Sequence, residues 1–173
     1  GWPKPPYCES SIGTCVNDNP WDKYPVLVAE NLDPLALGYV QYPPKSCGDY
    51  CGKVGDNPNT TAIETDALAT CMVLNKDYSL VGNARDYLER TASHEFVHAV
   101  QLGGGGFVGD DGLFKEDQMW IESSAVYAQD EVYDHNNLLY SDLWPQFTSC
   151  LGEYPACGDR LEYSNWLFFR LCG

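Results

Sequence analysis

The stretch Thr91-Ala92-Ser93-His94-Glu95-Phe96-Val97-His98-Ala99-Val100-Gln101-Leu102 runs into four glycines, Gly103 to Gly106. Periodicity from about Asn83 to Leu102 predicts a single helix that the glycines stop. On that helix His94 and His98 lie one turn apart and differ by only about 40° around the axis, so both imidazoles can reach one ion. Glu95 projects beside them, toward a water that such an ion would carry. Apolar Phe96, Val97, Ala99, Val100 and Leu102 surround the second half of the helix and predict that it is buried. An ionised Glu is seldom buried without a partner, and a divalent cation with its water would satisfy all three polar groups at once. The bland alternative is a pair of hydrogen-bonded core histidines.

A catalytic zinc takes three protein ligands and keeps one position open, so a third ligand is required. The sixth position after His98 is Gly104, and the only other histidine is His135, which directs the search to carboxylates. A second helix is predicted from near Asp117 to about Tyr133. Measured from Glu122, Met119, Val126 and Tyr133 fall within about 60° on a mostly apolar stripe, which turns Glu122 into the core. Glu131 falls at about 180° on the other side. Asp110 and Asp111 sit in a Gly-Asp-Asp-Gly loop that suits solvent or a calcium ion (Ca2+). Glu122 is therefore the expected third ligand.

These two segments, His94 to Gln101 and Trp120-Ile121-Glu122-Ser123-Ser124-Ala125, with Glu122 placed 24 residues after His98, resemble the gluzincin (thermolysin-like) metallopeptidases. The pattern is most similar to a bacterial family of secreted metallopeptidases, roughly HEFFHAxQ followed by WxEGTAxWxEDEVY. The similarity also takes in Met72 to Ser79 and Asn165 to Arg170, and spans residues 38–173. Residues 1–37 resemble nothing and are treated as an irregular extension. Ser123-Ser124 replaces Gly-Thr, Tyr127 replaces Trp and Gln129 replaces Glu, none of them a metal ligand or the base.

The resemblance implies an α+β, zincin-like fold and zinc (Zn2+) held by His94, His98 and Glu122. It also implies a peptide or protein substrate, hydrolysed by zinc-activated water with Glu95 as general base. It places an extended substrate along the strand at Met72 to Asn75. A further oxyanion donor is expected, with Tyr133 as the candidate and Tyr127 and His135 behind it. Asp130 is the candidate to orient a ligand histidine. Ordinary packing or a surface role competes for each of these four.

The rest of the chain agrees with an extracellular hydrolase. Its 173 residues carry 10 Lys+Arg against 25 Asp+Glu, a formal net charge of -15, which disfavours nucleic acid and anionic membranes as partners. No apolar run approaches the length of a membrane span. Eight cysteines without a CxxC pair read as disulfides of a secreted protein rather than a zinc knuckle. Residues 1 to about 66 read as irregular and disulfide-stapled, with extended pieces at 24–28 and 38–42. Ala67 to Asn75 is the strongest predicted strand. Asn59-Thr60-Thr61 is a glycosylation acceptor in a stretch, Gly55 to Pro58, expected to be surface loop. Further helices are predicted over 137–147 and 161–171, and both chain ends read as trimmed. The competing reading is a non-catalytic extracellular structural or assembly module on the same fold; a weaker one is a protein that binds in the cleft without cutting.

Overall fold

The computed structural model describes residues 4–6, 24–30, 32–33, 36–42, 52–105 and 118–136. The cysteines other than Cys71, the loop holding Asp110 and Asp111, and the helices predicted over 137–147 and 161–171 lie outside them.

Among the described residues the architecture is α+β, with five short strands followed by two helices. They are β1 (Val26–Ala29), β2 (Gly38–Gln41), β3 (Gly52–Gly55), β4 (Ala67–Ala69), β5 (Cys71–Asn75), α1 (Ala84–Gly103) and α2 (Gln118–Val132). One sheet has the order β1-β5-β2 and the other pairs β3 with β4. The run Ala67 to Asn75, expected as one strand, is divided at Thr70. That residue is fully buried, and its hydroxyl pairs with the Tyr24 hydroxyl at 2.6 Å. Before it the chain belongs to one sheet and after it to the other.

β5 is buried along its whole length. It runs parallel to β1, with Leu27 opposite Val73, and antiparallel to β2, with Tyr39 opposite Val73. The expectation that Met72 to Asn75 forms a substrate-binding edge is thereby overturned: a central strand has both rows of backbone groups engaged by neighbours. Its apolar run, Met72-Val73-Leu74, is that of a strand covered on both faces. The edge nearest α1 belongs to β2. Asn75 N–H donates to Leu37 O at 2.9 Å. By antiparallel alternation Tyr39 and Gln41 likewise face β5, while Gly38 and Val40 turn their backbone groups outward.

α1 is the hub, in contact with α2, β2, β4 and β5. Val97 packs against Ala125 and Ala128, two small residues that let α1 and α2 approach closely. β2 can lie close against α1 because Gly38 has no side chain; a Cβ there would sit 2.7 Å from Thr91 Cγ2 and 3.0 Å from Leu74 Cδ2. The glycine stop works as expected, one residue later: Gly104 donates back to Val100 O and Gln101 O at 3.0 Å, and Gly105 turns away at φ 72°.

Parts of residues 1–37 join this unit. β1 supplies one edge of the larger sheet, and Pro5 and Pro6 are buried against Gly103. The stretch Gly55 to Pro58 is not all surface loop. Asn57 is 1% exposed because its side-chain amide joins two backbone sites, donating to Lys4 O at 3.2 Å and accepting from Asn59 N–H at 3.1 Å, while its main-chain N–H donates to the Glu64 carboxylate at 3.1 Å. Asn59 itself is exposed. Cys71 is fully buried and disulfide-bonded. No described helix is long and apolar enough to cross a membrane.

Candidate metal centre

α1 presents His94 and His98 on one face, and α2, packed alongside through Ala125 and Ala128, brings Glu122 to meet them. His94 Nε2 lies 3.0 Å from Glu122 Oε2 and 3.0 Å from His98 Nε2, and His98 Nε2 lies 3.4 Å from the same oxygen. A tetrahedral zinc with ligands about 2.0–2.1 Å away has ligand-to-ligand edges of roughly 3.3 Å. The triangle therefore has the dimensions of three ligands on one small ion, and these residues form a group able to hold a metal.

Hydrogen bonds behind the rings decide what the triangle offers. Gln101 Nε2 donates to Ile121 O at 3.1 Å and to Ser124 Oγ at 2.8 Å, so its Oε1 must be the atom facing His98. His98 Nδ1–H donates to that oxygen at 2.8 Å. His94 Nδ1–H likewise donates to Gln129 Oε1 at 2.9 Å. With both Nδ1 atoms protonated, the neutral rings point Nε2 lone pairs at each other and at a carboxylate oxygen. Three electron-pair donors at such separations repel unless a cation, a proton or a metal, lies among them.

The titration behaviour agrees. Burial alone would raise the Glu122 carboxyl, but its hydrogen bonds to His94 and His98 and their charge hold it at about 2. Burial alone would lower His98, but Glu122 and Glu95 push it above the ordinary histidine value. Glu95 is raised by burial, against the pull of both histidines and of the Val40 N–H that it accepts from β2.

No protein-family model, curated protein or solved structure matches this chain.

His94, Glu95, His98 and Glu122 are brought together as expected; they line one cavity of about 210 Å³ with Tyr39, Val40, Tyr42 and Leu102. Tyr133 is not brought there. α2 ends at Val132, and Tyr133 lies at the wall of a separate apolar cavity with Phe96, Tyr24 and Met72, its ring 5.9 Å from His135. His135 is bonded to Glu89 at 3.1 Å on the exposed side of α1. Tyr127 lines none of these cavities. Asp130 is buried, but the residue behind His94 is its neighbour Gln129.

Gln129, Gln101 and Ser124 are the site residues that the sequence reading missed. A signal existed for Gln129, which lies seven residues after Glu122 and so within about 20° of it on the helix. The Ser124 hydroxyl accepts from Gln101 Nε2 and so fixes that amide. Gln129 is the hydrogen-bond partner of His94 within the candidate group.

Proposed function

We propose that the protein is a secreted zinc-dependent endopeptidase of gluzincin type. The observation that carries this reading is the convergence of two tautomer-locked imidazoles and a carboxylate, beside a buried Glu95 that lies outside the ligand triangle. Two nitrogens and one oxygen form a donor set suited to zinc, and three protein ligands leave a position open. A zinc ion there supplies Lewis acidity, polarising a carbonyl and lowering the pKa of water. Glu95 takes a proton from the attacking water and passes it to the departing amine. Val40 N–H steadies the Glu95 carboxylate, and burial keeps its proton affinity high enough to accept. The outward backbone groups of β2 other than the Val40 N–H, which Glu95 accepts, offer an extended peptide a strand edge to pair with. Disulfide-bonded Cys71 and the cysteine count support an oxidising compartment and a disulfide-stapled chain.

The test is zinc per chain in the purified protein and in Glu122→Ala, followed by peptide cleavage in the wild type and Glu95→Gln. One zinc per chain, lost in the first variant, together with cleavage lost in the second, is expected. Zinc bound with no peptide cut would turn the reading to a non-catalytic module; no metal bound even after zinc is added would reject it.

A further inference from the structure

The strand beside Glu95 is held by a tyrosine that belongs to neither helix. Tyr78 lies three residues after the end of β5 and is buried. A turn fixes its backbone: Asp77 N–H donates to Asn75 Oδ1 at 3.0 Å, and Val81 N–H donates to Tyr78 O at 3.2 Å. From this turn the ring reaches back across the chain, and its hydroxyl donates to Leu37 O at 2.8 Å. Leu37 is the residue that enters β2. The preceding carbonyl, Ala36 O, accepts from Asn75 Nδ2 at 3.1 Å, so two successive peptide groups at the mouth of β2 are tied to the segment that follows β5.

α1 meets the same point. Thr91, one turn before Glu95, is in hydrogen-bonding contact with the Tyr78 hydroxyl, and its methyl group closes the space that a Gly38 side chain would need. Burial raises that hydroxyl above the ordinary tyrosine value, Thr91 pulls it back and the charge of Glu95 raises it again, so the three groups share one neighbourhood. Tyr78 thus joins β2 to α1 just before Val40, whose N–H Glu95 accepts.

Resting on the peptidase reading, we propose that Tyr78 is a positioning residue for Glu95, its hydroxyl holding β2 at the separation from α1 at which Val40 N–H meets the carboxylate. β2 is four residues long, and among the described strands it is paired on one side only. A strand so placed shifts more readily than a central one. A small displacement breaks the Val40 bond and lets the carboxylate turn away from the attacking water, and general-base catalysis depends on that distance. The hydroxyl can be removed without orphaning its surroundings. Leu37 O keeps its bond from Asn75 N–H at 2.9 Å, and the Thr91 hydroxyl keeps its own to Tyr87 O at 2.8 Å.

The experiment measures zinc content, kcat and KM for an extended peptide in the wild type, Tyr78→Phe, Glu95→Gln and the double variant. Tyr78→Phe is expected to keep one zinc per chain and to lose about 10- to 100-fold, mainly in kcat. In the double variant the same change should cost the residual turnover of Glu95→Gln nothing further, because Tyr78 acts through Glu95. A purely structural residue would lower both backgrounds alike. Should Tyr78→Phe fail to fold, Thr91→Val removes the contact from the α1 side and is held to the same criterion. Wild-type kcat in the zinc-loaded variant, an equal loss in both backgrounds, or loss of zinc overturns the proposal while leaving the peptidase reading in place. A wild type that binds zinc and cuts no peptide overturns both.

Discussion

His94 and His98 face each other through Nε2 atoms 3.0 Å apart, and each ring is gripped from behind by a glutamine oxygen, Gln129 for the first and Gln101 for the second. The pair is thus oriented for a cation before one arrives. The backing groups are neutral amides, so they fix tautomer and direction without adding charge.

Removing a backing amide should loosen the metal without removing a ligand. Gln129→Ala is expected to weaken zinc binding by about 10- to 100-fold, as measured by competition with a chromogenic chelator. Gln129→Glu should tighten it, since a carboxylate behind the ring makes the imidazole a stronger donor. Unchanged affinity in both variants would show that the hydrogen bond at 2.9 Å plays no part in holding the ion.

Glu95→Gln should keep its zinc and lose about a hundred- to ten-thousand-fold in kcat, the usual contribution of a positioned general base. Zinc content and peptide turnover measured on the same preparation decide this. A variant that cuts at the wild-type rate assigns the proton transfer elsewhere.

The metal-free protein should be most stable in mildly acidic solution. Glu122 falls from 4.5 to about 2 on folding; a depressed carboxyl stabilises above its unfolded value, and that stability is lost as pH drops from about 4.5 toward 2. His98 is raised above 6.5; its contribution is complete below that value and is lost as pH rises through the folded pKa. Glu122 and His98 together place the optimum between about 4.5 and 6.5, and Glu95, raised by burial and so losing its contribution as pH rises above 4.5, draws it toward the acid end of that window. Zinc takes the place of the proton, so the Tm gain on adding zinc should grow from pH 6 to pH 8. Thermal melts with chelator and with zinc test this, and parallel pH curves would contradict it.

Gly38→Ala should cost about 1–3 kcal/mol in chemical denaturation, because the new Cβ meets Thr91 and Leu74 at 3.0 Å or less in a packed interior. Since β2 also carries Val40 to Glu95, the variant should lose peptidase turnover more than zinc affinity. Wild-type stability would mean that the strand and helix can separate without strain.

The two histidines of the candidate metal group were legible from the sequence because their spacing is a local property of a helix. Four residues make one turn, so His94 and His98 meet wherever the helix forms. Burial on an apolar stripe singled out Glu122 from the other acids by phase alone. The same reasoning carried Tyr133 too far, since phase holds only while the helix continues and α2 stops at Val132. Strand order was not legible. Met72 to Asn75 reads equally well as an edge or a centre, and only the pairing of β1 and β2 on its two sides made it central. Asn57, polar and flanked by turn residues, reads as exposed, but its amide joins the Lys4 carbonyl to the Asn59 N–H and is buried between them. Tautomers, too, were decided by the tertiary structure, through the carbonyl of Ile121 and the hydroxyl of Ser124 that orient Gln101. Local chemistry determined which residues could bind an ion; long-range packing decided which strand borders them and which way their protons point.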